Sequence, residues 1–168
     1  MKSKNILIHG VPDDNFYTLL KSMDIDEIYI TEGRPYLEGA KMIAPMIKSI
    51  SLNTKLISDN MISYILWKGL IDRIYIFYQS INEEGAKCKI GSLIAGLSAK
   101  EHSISVYLYK SKNIYEDYGN PEDICYFNNK REAPLKISGY NPLVDIVPLD
   151  LITMLYKDGE WIELKKSY

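Results

Sequence analysis

The stretch "RIYIFYQSINEEGAKCKIGS", residues 73–92, decides how the fold is read. After Arg73, the run to residue 78 is apolar or aromatic on both alternating faces, so 73–78 reads as a strand. A strand covered on each side has this pattern, and such a strand lies in the middle of a sheet. A polar loop follows, and the small and aliphatic run over 88–102 predicts a helix. Strand, loop and helix in this order build a parallel sheet, and ligands bind beyond the carboxyl ends of its strands. Yet the residue closing the strand is Gln79, whose amide cannot titrate.

Outward from this strand the alternation repeats. Runs 5–9 (NILIH), 26–31 (DEIYIT), 54–58 (TKLIS) and 103–110 (SISVYLYK) predict further strands. Residues 13–23, 36–50 and 59–69 predict helices. Asp13 or Asp14 lies near the first cap, Pro45 interrupts the second helix, Asp59 caps the third and Gly69 ends it. Residues 111–142 read as loop with short extended pieces, 148–159 as a helix with Pro148 in its first turn, and 160–164 as a short last strand. This alternation implies right-handed crossovers and a mainly parallel central sheet covered on both faces, a three-layer α/β sandwich. No repeat, low-complexity tract or linker interrupts it, so residues 1–168 are expected to form one domain.

The chain carries 20 Lys and Arg against 22 Asp and Glu, a net charge of −2, which gives no electrostatic reason to expect nucleic acid. Lys165 and Lys166 near the end read as solubilising. Two cysteines, Cys88 and Cys125, are too few for a secreted disulfide framework and favour a cytoplasmic location. The first apolar run stops at Pro12, short of a signal-peptide core, and no segment approaches the length of a membrane span. No His or Cys cluster has metal-ligand spacing, and no cofactor is implied.

If the sheet is parallel, His9–Gly10, Thr31–Glu32, Ser58–Asp59, Tyr78–Gln79 and Tyr109–Lys110 share one rim. A helix start near Lys89 would add backbone donors suited to phosphate. Arg34 and Lys89, each following a strand, are the stronger binding candidates, with solvated surface charge as the alternative. Asp59 reads first as a helix cap and second as a ligand contact. His9 and His102 read as structural, and Cys88 as a small buried apolar residue rather than a reactive thiol.

Several ordered segments go beyond a generic α/β pattern, among them "IYITEGRPYLEGAKM", "KIGSLIAGLSAKEHSISVYL", "NPEDI" and "YNPLVDIVPLDLITMLYKDG". Together they resemble the carboxyl-terminal, Rossmann-like domain of one particular family. That family unites the alpha, beta and delta subunits of translation initiation factor 2B with methylthioribose-1-phosphate isomerase, and includes archaeal ribose-1,5-bisphosphate isomerase. The most specific pieces are Glu32–Pro35, Lys89–Gly91 and Asn141–Asp145. The resemblance implies a homodimer and, in family members of about twice this length, an amino-terminal helical domain, which is not expected in this chain.

The resemblance also implies chemistry that the sequence departs from. The isomerases need a catalytic cysteine just after the first strand and an aspartate at the end of the fourth. Here those positions are Gly10 and Gln79, so no catalytic residue is assigned. Phe77 and Tyr78 replace small residues, Glu38 replaces a substrate-binding glutamine, and Cys88 replaces the asparagine that would accompany Lys89. The candidate ligand-binding set is therefore Arg34, Glu38, Asp59, Asn60, Gln79, Lys89, Asn141 and Asp145. Three functions follow as expectations. The first is a non-catalytic, initiation-factor-2B-like domain that binds other proteins or its own copies, with partners from the initiation factor or isomerase family. The second is a sensor of a sugar phosphate or nucleotide. The third is an aldose–ketose isomerase whose chemistry has moved to residues such as Cys88, Asp145 or Glu32.

Overall fold

The structure is a computed structural model that describes residues 4–50 and 52–164, so Lys165 and Lys166 lie outside the described residues. The chain alternates β1 (Asn5–His9), α1 (Asn15–Ser22), β2 (Glu27–Thr31), α2 (Ala44–Ser49, entered through a wide turn at Gly39–Ile43), β3 (Thr54–Ile57) and α3 (Ile62–Trp67). There follow β4 (Arg73–Asn82), β5 (Gly85–Lys89), α4 (Ser92–Glu101) and β6 (Ser105–Lys110). Beyond these come α5 (Glu122–Cys125), a small hairpin of β7 (Tyr126–Phe127) and β8 (Lys130–Arg131), then β9 (Val144–Val147), β10 (Met154–Lys157) and β11 (Glu160–Glu163).

The main sheet has the order β11-β10-β6-β4-β1-β2-β3. The five pairings from β10 through β3 are parallel, and β11 closes the other edge antiparallel. Alternation along the strands sorts their side chains onto two cores. Ile6, Ile8, Tyr75 and Phe77 face a cluster with α1 and α2, whereas Leu7, Ile74 and Ile76 face one with α3 and α4. The two-sided apolar character of β4 follows from this central position, and the mainly parallel, three-layer α/β expectation holds.

Two local expectations are corrected. Residues 148–159 do not form a helix: a single turn at Leu149–Leu151 leads into β10, which pairs with β6. Its apolar side chains are needed to extend the sheet, and β11 pairs with β10 across the turn at Asp158 and Gly159. The helix expected from residue 88 begins only at Ser92, because β4 runs on past Gln79 to Asn82 and returns antiparallel as β5. Cys88 and Lys89 are thus strand residues, paired on their other side with β9.

Candidate functional site

After β1 the chain lays β2 and β3 on one side and then crosses to place β4 on the other. The strand order therefore reverses between β1 and β4, where an open parallel sheet offers a crevice. Gly10 and Gln79 stand at this point. Thr31, Asp59 and Lys89 are brought to the same rim, as the parallel reading expects.

The rim is filled by the protein's own side chains. Lys89, only 2% exposed, places Nζ 2.9 Å from Oε2 of the buried Glu38. No donor is aligned on that oxygen for a hydrogen bond, so the pairing is electrostatic. Glu38 is set in place by Gly39, where a Cβ would lie 1.7 Å from the Thr31 carbonyl oxygen; only glycine lets the start of this segment press against β2. Lys89 Nζ also donates weakly to the Arg34 carbonyl at 3.4 Å and lies 5.3 Å from the centre of the Tyr115 ring. Tyr115 thus covers the ion pair from the loop after β6, and burial raises its phenol pKa.

Gln79 holds that cover. Its Nε2 donates to the Tyr115 carbonyl at 3.1 Å, and the Tyr115 N–H donates to its Oε1 at 2.9 Å. The amide satisfies both backbone groups at once, as a carboxylate with no N–H could not. Beneath lies Gly10, whose φ of +96° is a conformation L side chains rarely adopt, and Phe77 stands 3.4 Å from where its Cβ would be. His9 is buried, and desolvation lowers its pKa. Its Nε2 lies 2.9 Å from the Ile90 carbonyl and its Nδ1 2.8 Å from the Thr31 hydroxyl. A neutral ring protonated on Nε2 satisfies both contacts.

The remaining candidates have structural work. Asp59 does not cap α3. Its two oxygens instead accept the Gly33 and Arg34 N–H groups at 2.9 and 2.6 Å, fixing the loop after β2. Asp145 accepts the Gly91 and Leu93 N–H groups at 2.9 and 3.1 Å and so caps α4. Burial pushes its carboxyl pKa up to about 6. Asn60 accepts from the Ser58 hydroxyl, and Asn141 donates to the Asn120 carbonyl. Cys88 is 1% exposed and burial raises its thiol pKa, which suits a small apolar residue rather than a nucleophile. Among the described residues no group of three or more His, Cys, Asp or Glu could hold a metal ion.

Arg34 points elsewhere. Its guanidinium lies 5.5 Å from the centre of the Phe127 ring and donates to the Tyr126 carbonyl, on the wall of an open cleft of about 890 Å³. Tyr36, Lys41, Asp123 and the Asn128–Asn129 turn also line it. Sequence reasoning missed Tyr115 and this cleft, because residues 111–142 carry no periodicity that would fix where they fold back.

A parallel α/β domain with its crevice at the β1–β4 reversal, closed from within, is the class that the fold and rim define. The model of the Initiation factor 2 subunit family matches residues 16–158, most of the chain, and the protein belongs to that family. The methylthioribose-1-phosphate isomerase of Dehalococcoides mccartyi is 31% identical over 136 residues, covering 74% of this chain and 41% of its own length. The chain thus spans less than half the length of the curated relatives it matches. Among solved structures, the 5-methylthioribose 1-phosphate isomerase of Pyrococcus horikoshii OT3 superposes with a TM-score of 0.84 at 24% identity, over 97% of this chain and 52% of its own. The delta subunit of translation initiation factor eIF-2B from A. fulgidus gives 0.83 at 19% identity, over 97% and 54%. At these identities the two structures establish a shared fold. Among the described residues no helix is long and apolar enough to cross a membrane.

Proposed function

We propose that this chain is a non-catalytic member of its family that works in the cytoplasm by assembling with other proteins or with copies of itself. The observation that carries the reading is the Lys89–Glu38 pair, buried beneath Tyr115 where the resemblance calls for substrate. Isomerisation between an aldose and a ketose needs groups that pass protons, and general acid–base assistance is commonly worth about 10²–10⁴-fold in rate. Gly10 supplies no such group, and the Gln79 amide is occupied by Tyr115. The test is incubation of the purified chain with methylthioribose-1-phosphate or ribose-1,5-bisphosphate, followed by phosphorus NMR. The expected spectrum is unchanged from buffer. Turnover that disappears in Gln79→Ala overturns the reading.

One observation favours a second reading, a sensor of a phosphorylated small molecule. Arg34 and Lys41 form no ion pair among the described residues and line the same cleft as Tyr36 and Phe127. Cations beside aromatic faces suit a sugar phosphate or nucleotide. A thermal-shift series would then rise with the logarithm of ligand concentration and flatten in Arg34→Ala. No shift at millimolar ligand removes this reading.

A further inference from the structure

A second opening lies along the same edge of the sheet, on the far side of β4 from the filled crevice. It is a cavity of about 430 Å³ at the carboxyl end of the parallel ladder that β4, β6 and β10 form. Small-molecule sites are typically of roughly 300–1,000 Å³. Each of the three strands sends one tyrosine to it: Tyr78, Tyr109 and Tyr156.

Tyr109 is the most constrained of the three. It is 5% exposed, its ring stacks on Tyr156 at 4.6 Å between centres, and Phe16 packs on it at 5.1 Å. Its hydroxyl nevertheless has no hydrogen-bond partner among the described residues. Burial raises its phenol pKa, and Tyr156, Asp13 and Tyr78 add to the rise, so the hydroxyl stands among groups that line the cavity. A buried hydroxyl ordinarily finds a partner, and this one can meet it only in the cavity.

The charges of the lining come as two neighbouring pairs of opposite sign. On one wall the Asp13 N–H donates to the Lys110 carbonyl at 3.0 Å, which sets an acid beside a base. On the other, Lys157 and Asp158 are consecutive at the end of β10. Among the described residues none of the four side chains forms an ion pair. A phosphate would meet the two carboxylates there, and a polyamine the two ammonium groups. A ligand with both charges close together suits each wall. We infer that this cavity binds a free α-amino acid, its ammonium at Asp13 and Asp158, its carboxylate at Lys110, Lys157 and the Tyr109 hydroxyl. The half-buried rings of Tyr78 and Tyr156 give an apolar or aromatic side chain its contact surface.

This inference rests on neither reading of the function, since isomerase turnover or phosphate binding at Arg34 would leave it untouched. The test is a thermal-shift series on the full chain with the free L-amino acids, followed by titration calorimetry of the strongest. At least one apolar or aromatic amino acid is expected to stabilise the chain with the logarithm of its concentration. Its N-acetyl derivative and its carboxamide, each lacking one charge, should bind at least roughly tenfold more weakly. Tyr109→Phe keeps the packed ring and Asp158→Asn suits the left-handed turn, so both variants fold, with circular dichroism as the check. Each should weaken binding by roughly tenfold, and Lys157→Gln stands in should either misfold. Lys48→Gln, on α2, leaves binding unchanged. No shift with any amino acid at millimolar concentration overturns the inference, as does a larger shift with putrescine or inorganic phosphate. So does an amino acid that binds as well when N-acetylated, or whose affinity either cavity variant leaves intact.

Discussion

The rim of the sheet and the outer face of α3 and α4 treat side chains in opposite ways. At the rim a lysine, a glutamate and a histidine are withdrawn from water. On the helices a tryptophan, a tyrosine and two aliphatic residues are more than half exposed. Soluble domains ordinarily do the reverse, so each inversion asks for a cause. At the rim the polar groups meet one another: Lys89 has Glu38, His9 has Thr31 and Ile90, and Gln79 has Tyr115. On α3 the exposed aromatic rings meet only each other and Lys68. The difference teaches that the crevice is satisfied from within the chain, whereas the outer helix face leaves its large apolar side chains in water.

The sharpest way to break this comparison is to remove one charge at the rim. Lys89→Met leaves Glu38 buried without its counter-charge and should cost about 3–5 kcal/mol in urea denaturation. Adding Glu38→Gln to the same chain should restore most of that loss, because no lone charge then remains. A single variant costing under about 1 kcal/mol would mean that water reaches the pair, and the rim would have to be reread as an open site.

Asp145 tests the rim through pH. Burial raises its pKa from 3.8 to about 6, while the N–H groups of Gly91 and Leu93 oppose that rise. Between those values the folded chain holds a proton that the unfolded chain has released, so this group's contribution to stability declines as pH rises from about 4 to about 6 and then levels off. Asp145→Asn keeps an oxygen for the cap but cannot titrate. Wild type minus variant should therefore fall by at most about 3 kcal/mol across that window, read from urea midpoints at stepped pH. A difference that rises with pH would place the carboxylate in a setting that favours its charge.

The sequence made the sheet legible and the closure of its rim only partly so. Residues 73–78 disclosed the central strand because burial on two faces leaves no polar alternation to misread. The strand ends then followed from topology, and the losses at positions 10 and 79 were visible as letters. What those losses became was not. Nothing in "NIYEDYG" says that Tyr115 returns across the sheet, since a loop is positioned by its tertiary bonds and not by a period. The same limit hid β5: "EEGAKCK" has a turn and a strand, but the small residues beyond it extend a helical pattern backwards through Cys88. Residues 148–159 failed for the opposite reason. Pro148 and an apolar spacing fit a helix locally, and the vacant edge of β6 decided otherwise.

Gln79→Ala sharpens the comparison more gently. It leaves the Tyr115 N–H and carbonyl without their partner, at an expected cost of about 2 kcal/mol. Hydrogen exchange at the Tyr115 amide should quicken by more than that of amides in β1 or β4, because the loop opens before the sheet does. Equal acceleration everywhere would show that Gln79 supports the whole sheet and not the cover alone.

The smallest effect belongs to Gly10→Cys, which returns a thiol to the place where the resemblance expects one. The backbone there has φ +96°, and a Cβ would stand 3.4 Å from Phe77 and 3.7 Å from Lys89 Cβ. These are ordinary contacts, so the penalty comes from the conformation and should be about 1–2 kcal/mol. The variant should fold, lose a few degrees of thermal midpoint and show no isomerase turnover. A thiol alone does not complete a proton-passing pair, and Gln79, Tyr115 and the buried Lys89–Glu38 pair still fill the rim where the resemblance expects substrate. If Gly10→Cys did turn over a sugar phosphate, the rim would be a site that one side chain can reopen, and its contrast with the exposed helix face would lose its meaning.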